Sequence, residues 1–281
     1  MRRAPITVDD ICRWKNQGLG LGQGAAYKPW IDVRCFSSKG RMSRPPGVTT
    51  GRVHHLFSDN ESYFFLMADY AIPIVDIREQ FPLFPETRTQ AIASALGIRY
   101  PKYPQSATPI VMTTDFLLTV VSSSGARSYV AWSIKSPEEL RGKNRRSVLA
   151  KLELERRYWF ERGVPWRLFT ANEFDQTVID NLDWLSYLTV EDDTDDTVIA
   201  RMLPKFLARF AILSSKGLIL KELLHACAES LGADTPQKLT SKIFRYSVWH
   251  HLIELDLRVP VGLQRVPSVV SVKTVSAVRV Q

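Results

Sequence analysis

The sequence predicts an α/β protein: a core with a mixed sheet, followed by a small helical unit. Three observations carry this reading. Helical and strand-like segments alternate between residues 50 and 185; a hairpin-like ribbon lies in their midst; and three helical stretches with a β element follow an acidic break, EDDTDD, at 191–196. A chain of 281 residues with 45% hydrophobic content has room for two packed units. The expected division is 1–178 as an α/β domain, 179–196 as a helix end and acidic linker, and 197–281 as a small C-terminal domain with a valine-rich tail.

TVDDICRWKN opens the chain as a short helix, with Thr7 and Asp10 at capping-box spacing. GLGLGQG follows it but does not join a strand to a helix, so it reads as a flexible turn and not as a phosphate loop. Residues 36–50 form a polar loop rich in Pro, Gly and basic residues. SDNESYFFLMADYA then starts a helix that must end by Pro73, and IVDIREQF alternates like a strand.

The ribbon TTDFLLTVVSSSGARSYVAWSIK, 113–135, pairs two β-branched and aromatic runs across turn residues. A turn centred near Gly125 places Asp115 opposite Lys135. Ser133 then shares the Lys135 face, while Phe116, Leu118, Trp132 and Ile134 point to the other side. KSPEELRGKNRRS connects this ribbon to the helix VLAKLELERRYWFERG, WRLFT is a strand, and TANEFDQTVIDNLDWL is a helix. Three further helices are expected around IARMLPKFLARFAILSSK, LILKELLHACAESLG and TPQKLTSKIFRYSVWHHLIEL, before an alternating valine tail that is disordered or packs on its own unit, with strand addition to a partner as the alternative.

Composition narrows the function. Cys12, Cys35 and Cys227 form no paired spacing, which supports neither a disulfide framework nor a zinc site and fits a reducing compartment. No run approaches the about 18 apolar residues of a membrane span, and MRRAPITVDD has no apolar leader core, so the chain reads as cytoplasmic. The net charge of +8 is all N-terminal: residues 1–178 hold 25 Lys/Arg against 17 Asp/Glu, and residues 179–281 hold 12 against 12. A basic surface on the first part points to a polyanion such as DNA. The histidine pairs His54-His55 and His250-His251 diverge on any regular element and make poor metal sites, and His225, on an apolar helix, reads as core.

An Asp at the start of one hairpin strand and a Lys on the next is the arrangement of the PD-(D/E)xK nucleases. There the acid holds magnesium, the residue two before the lysine supplies another oxygen, and the lysine orients or deprotonates water. Here Asp115 is followed after 17 residues by Ser133-Ile134-Lys135. Solvated strand ends explain the same pair. Such a fold also takes a carboxylate from a preceding helix, and Glu61 fits; Ser58-x-x-Glu61 is equally a capping box. Glu153 is a further metal candidate, although the i,i+4 pairs Glu153–Arg157 and Lys151–Glu155 account for these charges without function. Arg141, Lys143, Arg145 and Arg146 are candidates for phosphate contact, or form a solvated basic loop.

The words YKPW, TGRVHHLFSDNE, DIREQFPLFP, MTTDF and KLELERRYW, in order over most of residues 20–175, resemble TnsA, the endonuclease subunit of heteromeric transposases. The resemblance implies a restriction-endonuclease-like catalytic domain followed by a winged-helix-like domain. It also implies cutting of the 5′ strands at transposon ends on double-stranded DNA, with one or two Mg²⁺ (Mn²⁺ as a substitute), beside a TnsB-like transposase and a TnsC-like AAA+ regulator. Glu61, Asp115 and Lys135 match the family's catalytic acid, metal-binding acid and lysine. The family's glutamine two residues before the lysine is Ser133 here, which leaves metal contact to a water or to the backbone. A bridging module with a weakened site and a free-standing restriction-type nuclease are the competing readings.

Overall fold

A computed structural model describes residues 5–33, 40–186, 196–232 and 236–273. The chain divides into two compact units, Met1–Glu173 and Phe174–Gln281. The acidic stretch expected to separate domains lies outside the described residues, apart from Asp196 at the start of a helix.

In the first unit, helix α1 (Val8–Asn16) carries the expected box: Thr7 Oγ1 accepts from the Asp10 amide, and the Asp10 carboxylate accepts from the Thr7 amide. Helix α2 (Asp59–Tyr70) ends before Pro73, and strand β1 (Ile74–Pro82) follows. Helix α3 (Glu86–Ala95) had no counterpart in the sequence reading. It has no side-chain cap, and its buried side chains are only Thr89, Ile92 and Ala93, a stripe too small to register as periodicity. Strands β2 (Thr113–Val121) and β3 (Arg127–Lys135) form the expected hairpin. A short helix α4 (Pro137–Arg141) lies within the charged connection, and α5 (Arg145–Phe160) crosses over to β4 (Trp166–Thr170).

These strands make one mixed sheet, in the order β1-β2-β3-β4. The first two pairings are antiparallel, and β3–β4 is parallel, which is why a helical crossover separates them. The hairpin register differs from expectation. Phe116 pairs with Trp132 and Val121 with Arg127, so the turn centres on Ser124 and the residue opposite Asp115 is Ser133. Gly125 closes a three-residue loop in the left-handed region at φ 81°, after the turn's centre and not at it. The displacement is two residues along the partner strand, so Phe116 and Trp132 keep their common expected face, whereas Thr114, expected on the Phe116 face, meets Glu155 of α5 beside Ser133. Phe64 of α2 packs on Phe116, Trp132 and Phe169, while Leu117 and Ala131 join Ile92, Leu154, Tyr158 and Trp159 in a core that includes α3 and α5.

The alternation in β1 suggested one solvated face, but Asp76, Arg78, Glu79 and Gln80 are all buried. Polar groups from upstream cover them. Glu79 is fully enclosed, and its carboxylate accepts from Arg52 Nη1 (2.8 Å), from a ring nitrogen of His54 (2.8 Å) and from the His55 amide (3.1 Å). Burial opposes its charge, yet Arg52 and His54 outweigh that and hold the carboxyl down to about 2.

In the second unit, α6 (Gln176–Leu185), α7 (Asp196–Ser214), α8 (Leu220–Leu231) and α9 (Gln237–Trp249) precede a two-stranded antiparallel ribbon of β5 (Ile253–Leu255) and β6 (Val269–Val272). The helix expected to run through IEL ends at Trp249, because these residues form β5. The start of the valine tail pairs within its own unit, and residues 274–281 lie outside the described set. His225, expected in the core, is 60% exposed and contacts Gln237 and Glu229; the apolar face of α8 is built from Leu220, Leu223, Leu224 and Cys227. Among the described residues, no helix is long and apolar enough to cross a membrane.

Candidate active site

The β2–β3 hairpin brings Asp115 and Lys135 into contact. Asp115 Oδ2 accepts from Lys135 Nζ at 2.8 Å and from the Ile134 amide at 2.7 Å, and Lys135 Nζ also donates to the Ile134 carbonyl at 2.8 Å. Because the register places Ser133 opposite Asp115, the lysine reaches its partner diagonally, a span its long side chain covers. Burial works against the ammonium, but the charge and hydrogen bond of Asp115 win and carry its pKa above the ordinary 10.5. Lys135 is therefore a fixed cation at neutral pH.

Glu61 comes from the first turn of α2. Its amide donates to Ser58 Oγ, its Oε1 accepts from that hydroxyl at 3.2 Å, and its Oε2 accepts from the Phe57 amide at 3.0 Å and from Gln80 Nε2 at 3.3 Å. Ser58 caps α2 through its hydroxyl, but the buried Glu61 carboxylate reaches the Phe57 amide and not that of Ser58, so the capping box is formed only in part. Burial, and then the negative charge of Asp115, push the Glu61 carboxyl up to about 7 against the stabilising hydrogen bonds and Lys135.

Ser133 is fully buried. Its hydroxyl donates to Glu155 Oε1 at 2.5 Å and accepts from Trp166 Nε1 at 3.1 Å. Thr114 donates to the same Glu155 oxygen and accepts from Trp159 Nε1. Glu155 is thus held between both hairpin strands. Burial and the charge of Asp115 push its carboxyl up to about 7, against Ser133, Thr114 and Lys135.

The family model described as "TnsA-like endonuclease N terminal" matches residues 73–171, from the start of β1 through β4. The transposon Tn7 transposition protein TnsA of Escherichia coli is 38% identical over 207 residues, covering 74% of this chain and 71% of that protein. The chain belongs to the TnsA family. It is an endodeoxyribonuclease.

Of the residues that the TnsA pattern marks, Asp115, Lys135 and Ser133 lie together on the hairpin, and Glu61 reaches the same charge network from outside the matched 73–171 segment. Glu153 does not join them. It lies on the solvent side of α5, bound to Arg156 at 2.7 Å and Arg157 at 3.1 Å, which hold its carboxyl below the ordinary range. Glu155, assigned from spacing to a surface pair with Lys151, is the buried acid instead. The missed signal was helical: Glu155 is three residues after Leu152 and three and four before Tyr158 and Trp159, all of them buried, so it belongs to the core stripe. Arg141, Lys143, Arg145 and Arg146 are all exposed.

Three carboxyl groups, Glu61, Asp115 and Glu155, share this electrostatic neighbourhood with one ammonium. An excess of oxygen donors and negative charge is what a hard divalent cation takes. Asp115 Oδ1 and Glu155 Oε2 accept no hydrogen bond among the described residues. Among the described residues, no group of three or more His, Cys, Asp or Glu is arranged to hold a metal ion.

Proposed function

We propose that this chain is the transposase subunit that hydrolyses the 5′ strands at transposon ends in a Mg²⁺-dependent reaction. The observation that carries the reading is the Asp115–Lys135 contact at 2.8 Å, with the buried Glu61 and Glu155 carboxyls in the charge field of the same aspartate. Asp115 and Glu61 would hold one or two Mg²⁺, or Mn²⁺ in substitution, which when bound supply Lewis-acid stabilisation of the scissile phosphate. Lys135, which donates to Asp115, orients the attacking water and offsets charge developing on the phosphate oxygens. Ser133 contributes through Glu155, since its proton is committed to that carboxylate. The products are a 3′-hydroxyl and a 5′-phosphate.

The DNA backbone fits the basic connection after Lys135. Arg141, Lys143, Arg145 and Arg146 are exposed, and α5 begins at Asn144 with no side-chain cap and no acid in its first turn. That places positive charge at the positive end of a helix, an unfavourable pairing that phosphates relieve. The four-stranded mixed sheet supports a restriction-endonuclease-like core. In the second unit, the helix–helix–ribbon order of α8, α9 and β5–β6 supports a winged-helix-like module. We assign the partners as a TnsB-like transposase and a TnsC-like AAA+ regulator, acting with the chain on cytoplasmic DNA.

The test is strand-resolved cleavage of end-labelled transposon-end DNA by the reconstituted complex, comparing wild type with Asp115→Ala and Lys135→Ala. Both variants lose 5′-strand cutting by roughly a hundredfold or more, while 3′ cutting and assembly persist. Wild-type cutting by both would reduce the contact to a structural ion pair and refute the assignment.

A further inference from the structure

β1 contains one residue whose backbone is strained and whose side chain points at the site. Glu79 pairs with Phe116 and Phe81 with Thr114, so Gln80 stands across from Asp115. Its φ is 48°, in the left-handed region that residues other than Gly, Asn and Asp rarely enter. The side chain is buried, with 5% of the residue exposed. Its Nε2 donates to Glu61 Oε2 at 3.3 Å, and its Oε1 accepts from Thr113 Oγ1 at 3.4 Å. The backbone carbonyl accepts from the Trp30 amide, which ties the strained position to the N-terminal segment.

A glycine would adopt this φ without strain. A glutamine there keeps the strain and gains only what its side chain does, and that side chain spans from the hairpin strand at Thr113 to the carboxylate on α2. The other hydrogen bonds to Glu61 come from its own helix entrance, Phe57 and Ser58, and carry no information about where the hairpin lies. We propose that Gln80 is a positioning residue for strand cleavage: its amide fixes the Glu61 carboxylate relative to Asp115, and the left-handed backbone is what aims it there. The inference rests on the role assigned above to Glu61 and extends it to a buried residue of β1.

The experiment uses the full chain in the reconstituted complex and compares Gln80→Gly, Glu61→Asp, the double variant, and Glu61→Gln as a control. Single-turnover 5′-strand cleavage and thermal melting are both measured. Gln80→Gly slows cleavage about tenfold with unchanged DNA affinity, while its melting temperature stays level or rises because backbone strain is relieved. In the Glu61→Asp background, whose shortened carboxylate no longer meets the amide, Gln80→Gly causes no further loss. Should the glycine variant not fold, Gln80→Asn tolerates the same φ but is one methylene too short for the span, and the same loss is expected. Wild-type cleavage by Gln80→Gly, a loss that follows a falling melting temperature, or the same fold-loss in the Glu61→Asp background would each overturn the proposal. Wild-type cleavage by Glu61→Gln would instead refute the role of Glu61 itself.

Discussion

Replacing Glu155 by its neutral isostere should make the metal-free protein progressively more stable than wild type as pH rises from 4.5 through 7. In the folded chain the Glu155 carboxyl ionises at about 7, against its ordinary 4.5 when unfolded, first because it is buried and then because Asp115 faces it. Between these values the unfolded chain gives up the proton first, so the contribution of this group is fully present below pH 4.5 and is lost as pH rises through 7. At about 1.4 kcal/mol per tenfold change in proton affinity, ionised Glu155 costs the folded state on the order of 3 kcal/mol at pH 8. Glu155→Gln removes that cost and keeps an oxygen for Ser133 and Thr114. Thermal melts in chelator should show the variant level with wild type at pH 4.5 and roughly 8 °C higher at pH 8, as expected for a unit of this size. Adding Mg²⁺ at pH 8 should raise wild type and narrow the gap, since a bound cation favours the ionised carboxylate. Equal pH slopes for both proteins, or a variant destabilised at every pH, would refute a titrating carboxyl here.

Three further outcomes follow from the same geometry. Arg52→Ala strands Glu79, a fully enclosed carboxylate, and should cost about 3–5 kcal/mol by denaturant unfolding at pH 7; because the Glu79 carboxyl is held down to about 2, wild type should lose this stabilisation as pH falls from 4.5 towards 2. Asp115→Asn, titrated without metal by carboxyl infrared or NMR signals, should move both Glu61 and Glu155 downward, since its charge raises each. Glu153→Ala, by contrast, should shift unfolding by less than about 0.5 kcal/mol and leave cleavage unchanged, because its pairs with Arg156 and Arg157 are solvated.

How much of this was legible in the sequence depended on the range of the signal. The hairpin and the common face of Phe116 and Trp132 followed from period two alone, and they survived a misplaced turn centre because the displacement was even; Thr114 leaves that alternation to meet Glu155. The helix α3 was missed because its buried stripe is made of Thr and Ala beside one Ile. Choosing between Glu153 and Glu155 needed the phase of α5 against Leu152 and Trp159, whereas i,i+4 charge pairing, a local rule, pointed to the surface for both. The enclosure of Glu79 was illegible, since its partners lie 24 to 27 residues upstream and no periodicity links them.

The spacing of the acids along the chain bears on how the protein is made. Glu61, Asp115, Lys135 and Glu155 span nearly a hundred residues, and the last of them lies on the crossover helix that must emerge before β4 can dock in parallel beside β3. During synthesis, a chain that has released only its first 140 residues has the hairpin but lacks Glu155 and the helix that seats it. A DNA-cutting protein assembled in this order completes its cluster of acids only when its catalytic unit is almost finished, so that fragments from stalled ribosomes lack the full set.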